Sequence, residues 1–229
     1  MNLQKGFLLA YIKYHDSDAI LHCYTAENGF QSFFVRGVFS GKSRKKAYLL
    51  PLNELTFTIN PKTKNQSIKN ISSLELLSNR DFYQDIKANS VVFFVADFLN
   101  QILKNENSSN EIYHEISCFL DELVQDNYQA HLFLLFKLLK IQGSLPLNND
   151  EEFLNPETGN FEEESTHPLF TKEISSIWKN LINYKNPYEI KIHANERKNF
   201  LNSLLVYYHY HFSDFRNPTS LEIVQQIFD

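Results

Sequence analysis

Cysteine is nearly missing from this chain: there are two in 229 residues, together with one tryptophan, one methionine and six glycines. Cys23 and Cys118 stand far apart and alone, so no disulfide framework and no paired-cysteine zinc motif can be read. Both are expected to be reduced, partly buried thiols. Long apolar runs are also lacking. The run from Phe7 to Ile12 spans six residues with no small-residue cleavage site behind it, which excludes a usable secretory signal. "VVFFVADFL" is broken by Asp97 and is half the length a membrane span requires. A cytoplasmic protein with no membrane association is the expectation.

Catalytic and metal-binding patterns are equally scarce. There is no GxxxxGK[ST], no GxSxG and no local Cys-His signature. His209 and His211 are two residues apart, which on a helix puts them on different faces, and His167 and His193 are too distant in sequence to be placed beside them. Asp150, Glu151 and Glu152 are contiguous where a calcium loop alternates. No enzyme, no catalytic residue, no cofactor and no metal is expected.

What the chain does have is a divided charge. Its formal charge is −5, yet residues 1–80 hold eleven Lys or Arg against five Asp or Glu, and the remainder holds eleven against twenty-two. The basic excess centres on "VRGVFSGKSRKKAYL", where Arg36, Lys42, Arg44, Lys45 and Lys46 fall within fifteen residues. Gly37 and Gly41 would permit close backbone approach, Ser40 and Ser43 could donate hydrogen bonds, and Phe33, Phe34, Phe39 and Tyr48 flank the run. Cations that neutralise phosphates, with aromatics that can stack on bases, make a single-strand binding site. A solvated loop and a grip on an anionic protein or lipid remain the competing readings. The aromatics of the second half recur at helical spacing and read as core.

The first 80 residues read as five short strands. "FLLAYIKYH" and "AILHCYTA" are followed by Asn28-Gly29, a strong hairpin signal, and by "QSFFVRGV". "LNELTFTI" alternates at Leu55, Phe57 and Ile59, and "SIKNISSLEL" follows a turn-rich stretch. Strand number and length suit a small oligonucleotide-binding (OB) barrel. From Asp81 the period becomes helical, with Phe82, Ile86, Val91, Phe94, Val95, Phe98, Ile102 and Leu103 on one apolar face. Further helices are expected at 110–125, at "YQAHLFLLFKLLKIQG" ending on Gly143, at 171–184, 195–212 and 220–228. Residues 148–168, with seven acidic residues plus Pro and Gly, read as a surface loop or small excursion. The expected organisation is a β-barrel domain over 1–80 and an all-α domain over 81–229.

The order of these features resembles the RecO family of recombination and repair mediators. The carrying residues are "GFLLAYIKYHDSDAILHCYTAENGFQSFFVRGVFSGKSRKKAYLLPLNELTF", then "LFLLFKLLKIQGSLP", then "LVYYHYHFSDFRNPTSLEIVQQI". The resemblance implies an N-terminal OB-fold joined to a helical domain, without enzymatic turnover. It implies binding of single- and double-stranded DNA, annealing of complementary strands, and association with a RecR-like protein. It further implies help to the recombinase RecA in displacing single-strand binding protein, whose tail such proteins hold on the helical domain. By position, Arg36, Lys42, Arg44, Lys45 and Lys46 would be phosphate contacts, with Gly37 shaping the loop. Many members hold zinc with two cysteine pairs after the central helix; 148–168 has none, so zinc is not expected here. The acidic second half is a poor DNA surface and better suited to basic or amphipathic protein partners. The alternative function is an adaptor whose basic loop holds an acidic partner.

Overall fold

The computed structural model describes residues 3–78, 80 and 85–228, with backbone alone at 227 and 228. Phe82, placed above on an apolar helical face, lies outside the described residues. Five strands, β1 (Leu3–Tyr14), β2 (Asp18–Thr25), β3 (Gly29–Val35), β4 (Glu54–Ile59) and β5 (Ile68–Ser78), close into a barrel in the order β1-β2-β3-β5-β4. β3 and β5 run parallel and the other pairs antiparallel, as in an OB-type barrel. Closure leaves no free sheet edge.

Alternation decides what fills the barrel. Leu21, Cys23, Phe33, Val35, Leu55, Phe57, Ile59 and Leu74 point inward and are essentially inaccessible, and the Phe33 and Phe57 rings pack at 4.3 Å. Burial pushes the Cys23 thiol far above its ordinary pKa, which makes it inert packing. At the β2–β3 turn Thr25 Oγ1 accepts the Asn28 N–H and donates to the Gly29 carbonyl. Gly29 sits at φ +66°, and a Cβ there would come within 2.5 Å of the Glu106 and Asn107 backbone. The same stretch is stitched to β2 by the Tyr24 hydroxyl, which donates to the Asn107 carbonyl and accepts from Ser109 N–H.

The helices are α1 (Ile86–Ile102), α2 (Asn110–Val124), α3 (Ala130–Ile141), α4 (Lys172–Asn183), α5 (Ala194–His211) and α6 (Leu221–Phe228). α1 is capped by Asp85, whose carboxylate accepts the Lys87 and Ala88 N–H groups. Val91, Phe94, Val95, Phe98, Ile102 and Leu103 are buried, but Ile86, the first residue of α1, is 75 % exposed, with no covering apolar neighbour among the described residues. By packing, one compact unit comprises 1–114 with 218–220 and the other 115–217 with 221–229. In the first, Tyr113 stacks on Phe7 at 4.6 Å and donates to Glu54 Oε1, while Thr219 donates through both its N–H and its hydroxyl to Asp97.

In the second unit α3 is buried along almost its whole length, which its all-round apolar sequence requires. It ends at Gly143, where Ser144 N–H returns to the Leu139 carbonyl. Trp178 of α4 is fully buried among Phe136, Phe170, Phe200 and Tyr207, its indole N–H donating to Ser203 Oγ. The surface excursion expected at 148–168 contains a two-stranded hairpin, β6 (Phe153–Asn155) with β7 (Asn160–Glu162). Leu154 and Phe161 are buried, Leu154 N–H donates to Ser175 Oγ of α4, and Lys179 Nζ lies 4.9 Å over the Phe161 ring. Three-residue strands are too short for their alternation to emerge from the acidic residues around them.

Two outcomes follow. Gly29→Ala should lower the unfolding free energy by about 2–4 kcal/mol in chemical denaturation, since it adds both left-handed strain and a backbone clash. His131, whose ring is held at 2.7 Å from the Tyr128 carbonyl, has its pKa driven by burial down to about 4 against an ordinary 6.5. The unfolded chain therefore takes up a proton that the folded one refuses as pH falls from 6.5 to 4. Wild type should lose about 3 kcal/mol more than His131→Gln across that window, measured by urea unfolding.

Candidate nucleic-acid interface

The connection between β3 and β4 is an arch with both feet fixed in the barrel. At the first foot Val38 is fully buried in the core, Gly37 N–H donates to Asp18 Oδ1 at 2.8 Å, and Phe39 N–H donates to the Ser17 carbonyl at 2.8 Å. Gly37 adopts φ +65°, a conformation that costs a side chain strain. At the second foot Leu49 is buried in the same core and Asn53 Nδ2 donates to the Tyr48 carbonyl. Between the feet the backbone winds through tight turns, with Ser43 Oγ accepting the Lys45 N–H, into a single 3₁₀ turn, Lys45–Tyr48.

The five cations singled out from the sequence all belong to this arch. Arg36, Lys42, Arg44 and Lys46 are exposed and Lys45 is half-buried. None of their side chains forms an ion pair or hydrogen bond among the described residues. The charge is thus held near the barrel by backbone and apolar anchors alone, leaving the side chains to external anions. A Cβ on Gly41 would meet nothing within 4 Å, so close approach to protein does not explain that glycine.

The flanking aromatics divide. Phe33 is inside the barrel and unavailable to a ligand. Phe34 is on the outer face, and Phe39 and Tyr48 pack partly against the core. Three residues not marked from the sequence join them from the end of β1. Tyr11 meets the Phe39 ring at 5.9 Å, Lys13 Nζ stands 5.9 Å over it, and Tyr14 meets Phe34 edge-on. Their only sequence signal is that "YIKY" is apolar or aromatic on both faces of one strand. Lys62 and Lys64, exposed on the β4–β5 connection, were also unmarked. Lys64 and Lys69 form a second basic pair, in which burial and then the Lys64 charge press the Lys69 pKa down. Lys69 itself donates to Gln31. On β2, burial and the Lys104 charge lower the His22 pKa, favouring its neutral form.

The second unit has a cavity of about 620 Å³ whose lining includes Tyr128, Tyr188, Lys191 and Arg197 beside Asp126 and Glu189. Arg197 is oriented by its Nε–H bond to the Ile192 carbonyl. Next to Tyr188, Lys137 makes two 2.8 Å bonds to the Glu115 carboxylate and lies 4.7 Å over the tyrosine ring. Among the described residues no group of three or more His, Cys, Asp or Glu is placed to hold a metal, and no helix is long and apolar enough to cross a membrane.

Residues 1–80 match the family model for the N-terminal region of recombination protein O. The chain is 27 % identical to the DNA repair protein RecO of Flavobacterium psychrophilum, the alignment covering 98 % of each chain. It is 26 % identical to that of Flavobacterium johnsoniae and 28 % identical to that of Azobacteroides pseudotrichonymphae, again over 98 % of both partners in each case. Barrel topology, the helical region after it and the similarity to these relatives over nearly the whole chain agree in likening the chain to the RecO family.

Proposed function

We propose that this protein is a non-enzymatic mediator of DNA repair and recombination that binds single- and double-stranded DNA through its N-terminal barrel and anneals complementary strands. The observation that carries this reading is the arch: four exposed cations and one half-buried one, without internal partners among the described residues, on a backbone fixed at both ends. Each phosphate engaged releases condensed counterion, so binding is strong at low salt and indifferent to sequence. Annealing follows from the same physics. Two strands whose phosphates are neutralised on one protein surface lose the repulsion that keeps them apart.

In this reading the helical half takes protein partners. A RecR-like protein and the tail of single-strand binding protein are assigned there, the tail to the cavity where Lys191 and Arg197 stand beside Tyr128 and Tyr188. Removing single-strand binding protein would open DNA to RecA, which the chain assists indirectly. The protein works inside the cell, on the nucleoid, and turns over no substrate.

Two measurements bear on the barrel. If all five arch cations engage phosphates, log affinity for a single strand should fall against log salt with a slope of about −3.5. Replacing Lys42, Arg44, Lys45 and Lys46 by Ala should flatten that slope by about 3 and weaken all sequences alike. A flat slope in wild type, with binding retained only to an acidic peptide, would instead make the arch a protein-docking element. Asp18→Ala removes the acceptor of the Gly37 N–H. Amide exchange at Gly37 and Phe39 should speed up, and single-strand affinity should drop severalfold while the barrel stays folded by circular dichroism.

A further inference from the structure

The cavity of the second unit is lined by charges that cancel. Asp126 and Glu189 supply two carboxylates, Lys191 and Arg197 two cations. The carboxylates accept from neutral donors, the Tyr128 hydroxyl and Asn186 Nδ2, and so keep their charge. Both are exposed, where water screens them. Apart from the Arg197 Nε–H bond to Ile192, the side chains of Lys191 and Arg197 make no hydrogen bond or ion pair among the described residues. They are the groups a ligand carboxylate would meet, provided that nothing behind the lining repels it.

Behind the lining stands a carboxylate that water does not screen. Glu115 of α2 is only 9 % exposed. Tyr188 forms the wall in front of it: carried by the 3₁₀ turn Pro187–Glu189, it lines the cavity and packs edge-on against Phe133 of α3 at 5.8 Å. Its buried hydroxyl makes no hydrogen bond among the described residues, and burial first, then the Glu115 charge, drive its pKa far up. The Glu115 charge therefore reaches the wall. Lys137 of α3 answers it, with Nζ 2.8 Å from both carboxylate oxygens and 4.7 Å over the Tyr188 ring. Neither Glu115 nor Lys137 lines the cavity. A buried ion pair adds little net stability over apolar side chains of the same volume. Its larger consequence is the field at the wall. Paired, the two charges fall off as a dipole; unpaired, Glu115 would set one unscreened negative charge behind a balanced lining.

We propose that the Glu115–Lys137 pair sets the charge preference of this cavity, Lys137 cancelling the buried carboxylate so that Lys191 and Arg197 can hold a peptide by its carboxyl groups. The inference rests on the reading that the tail of single-strand binding protein occupies this cavity, and adds the residues that decide which peptides enter. Glu115 and Lys137 act through Tyr188, so they determine specificity from outside the contact surface.

Anisotropy titrations of the full chain test this, with a fluorescent peptide copying that tail and the same peptide with its carboxyl groups amidated. Wild type should favour the carboxylate form by about tenfold. Lys137→Met should weaken that form about tenfold and leave the amidated one within about twofold. Glu115→Gln should act in the opposite direction, tightening the carboxylate form about threefold, because the Lys137 charge is then unopposed. Lys137→Met combined with Glu115→Gln should return the affinity to within about threefold of wild type. Opposite signs from the two members of one pair do not arise from lost packing. Glu115→Gln preserves the shape of the side chain, so its result decides the matter if Lys137→Met fails to fold. Unchanged or weakened binding in Glu115→Gln would overturn the inference, and so would an equal loss of both peptides in Lys137→Met. Arg197→Ala is titrated in parallel. If it binds both peptides as wild type does, the tail lies elsewhere, and its assignment to the cavity falls together with the inference. If it loses the carboxylate form while the pair variants change nothing, the inference alone falls.

Discussion

A closed barrel has one interior, and here that interior is full. Phe33, Phe57, Leu21, Leu55 and their neighbours leave no space for a charged group, and none would be tolerated there unpaired. The β3–β4 connection therefore has to pass outside while its ends remain attached to the core, and Val38 and Leu49 provide the attachment as two buried plugs. The cations between them are confined to a short arch over the barrel. A free linker of equal composition would scatter the same charge through a large volume, and each phosphate contact would then cost the ordering entropy of that chain.

The hydrogen bond from Gly37 N–H to Asp18 gives the arch its direction. It ties the first foot to the turn between β1 and β2, and so to the end of β1 where Tyr11, Lys13 and Tyr14 project beyond the region β1 shares with β4. Charge and rings are joined by this tie. Neither group is contiguous with the other in sequence, yet Arg36 and Tyr14 both stand at the end of the outer face of β2 and β3, whereas Tyr11 and Lys13, paired with Leu21 and Ala19, lie on the other side of the same strand end.

Much of the barrel is legible in the chain. Asn28-Gly29 marks a hairpin that exists, and the alternation of Leu55, Phe57 and Ile59 names residues that are buried. The arch cations are visible because they are adjacent. What escapes depends on distance along the chain or on boundaries. Ile86 falls in register with the apolar face of α1, but as the helix's first residue it lacks the flanking helical turns that cover Val91, Phe94 and Phe98. Tyr11 and Tyr14 stay unmarked because periodicity assigns faces without knowing where a partner strand ends. The hairpin at 153–162 is invisible because a single buried residue per strand, Leu154 and Phe161, does the work that alternation does in longer strands. These two side chains, packed beside Ser175 and Lys179 of α4, give the segment a core without cysteine.

The proposed function places nucleic acid on the β3–β4 arch of the barrel and the strand ends beside it. Amide hydrogen exchange of the full chain with and without a saturating oligothymidylate addresses that claim directly. Slowed exchange should concentrate in residues 36–48 and in the ends of β1, β2 and β3, with α3, α4 and α5 unchanged. Protection confined to residues 115–217, with the arch exchanging as fast as in the free protein, would contradict it.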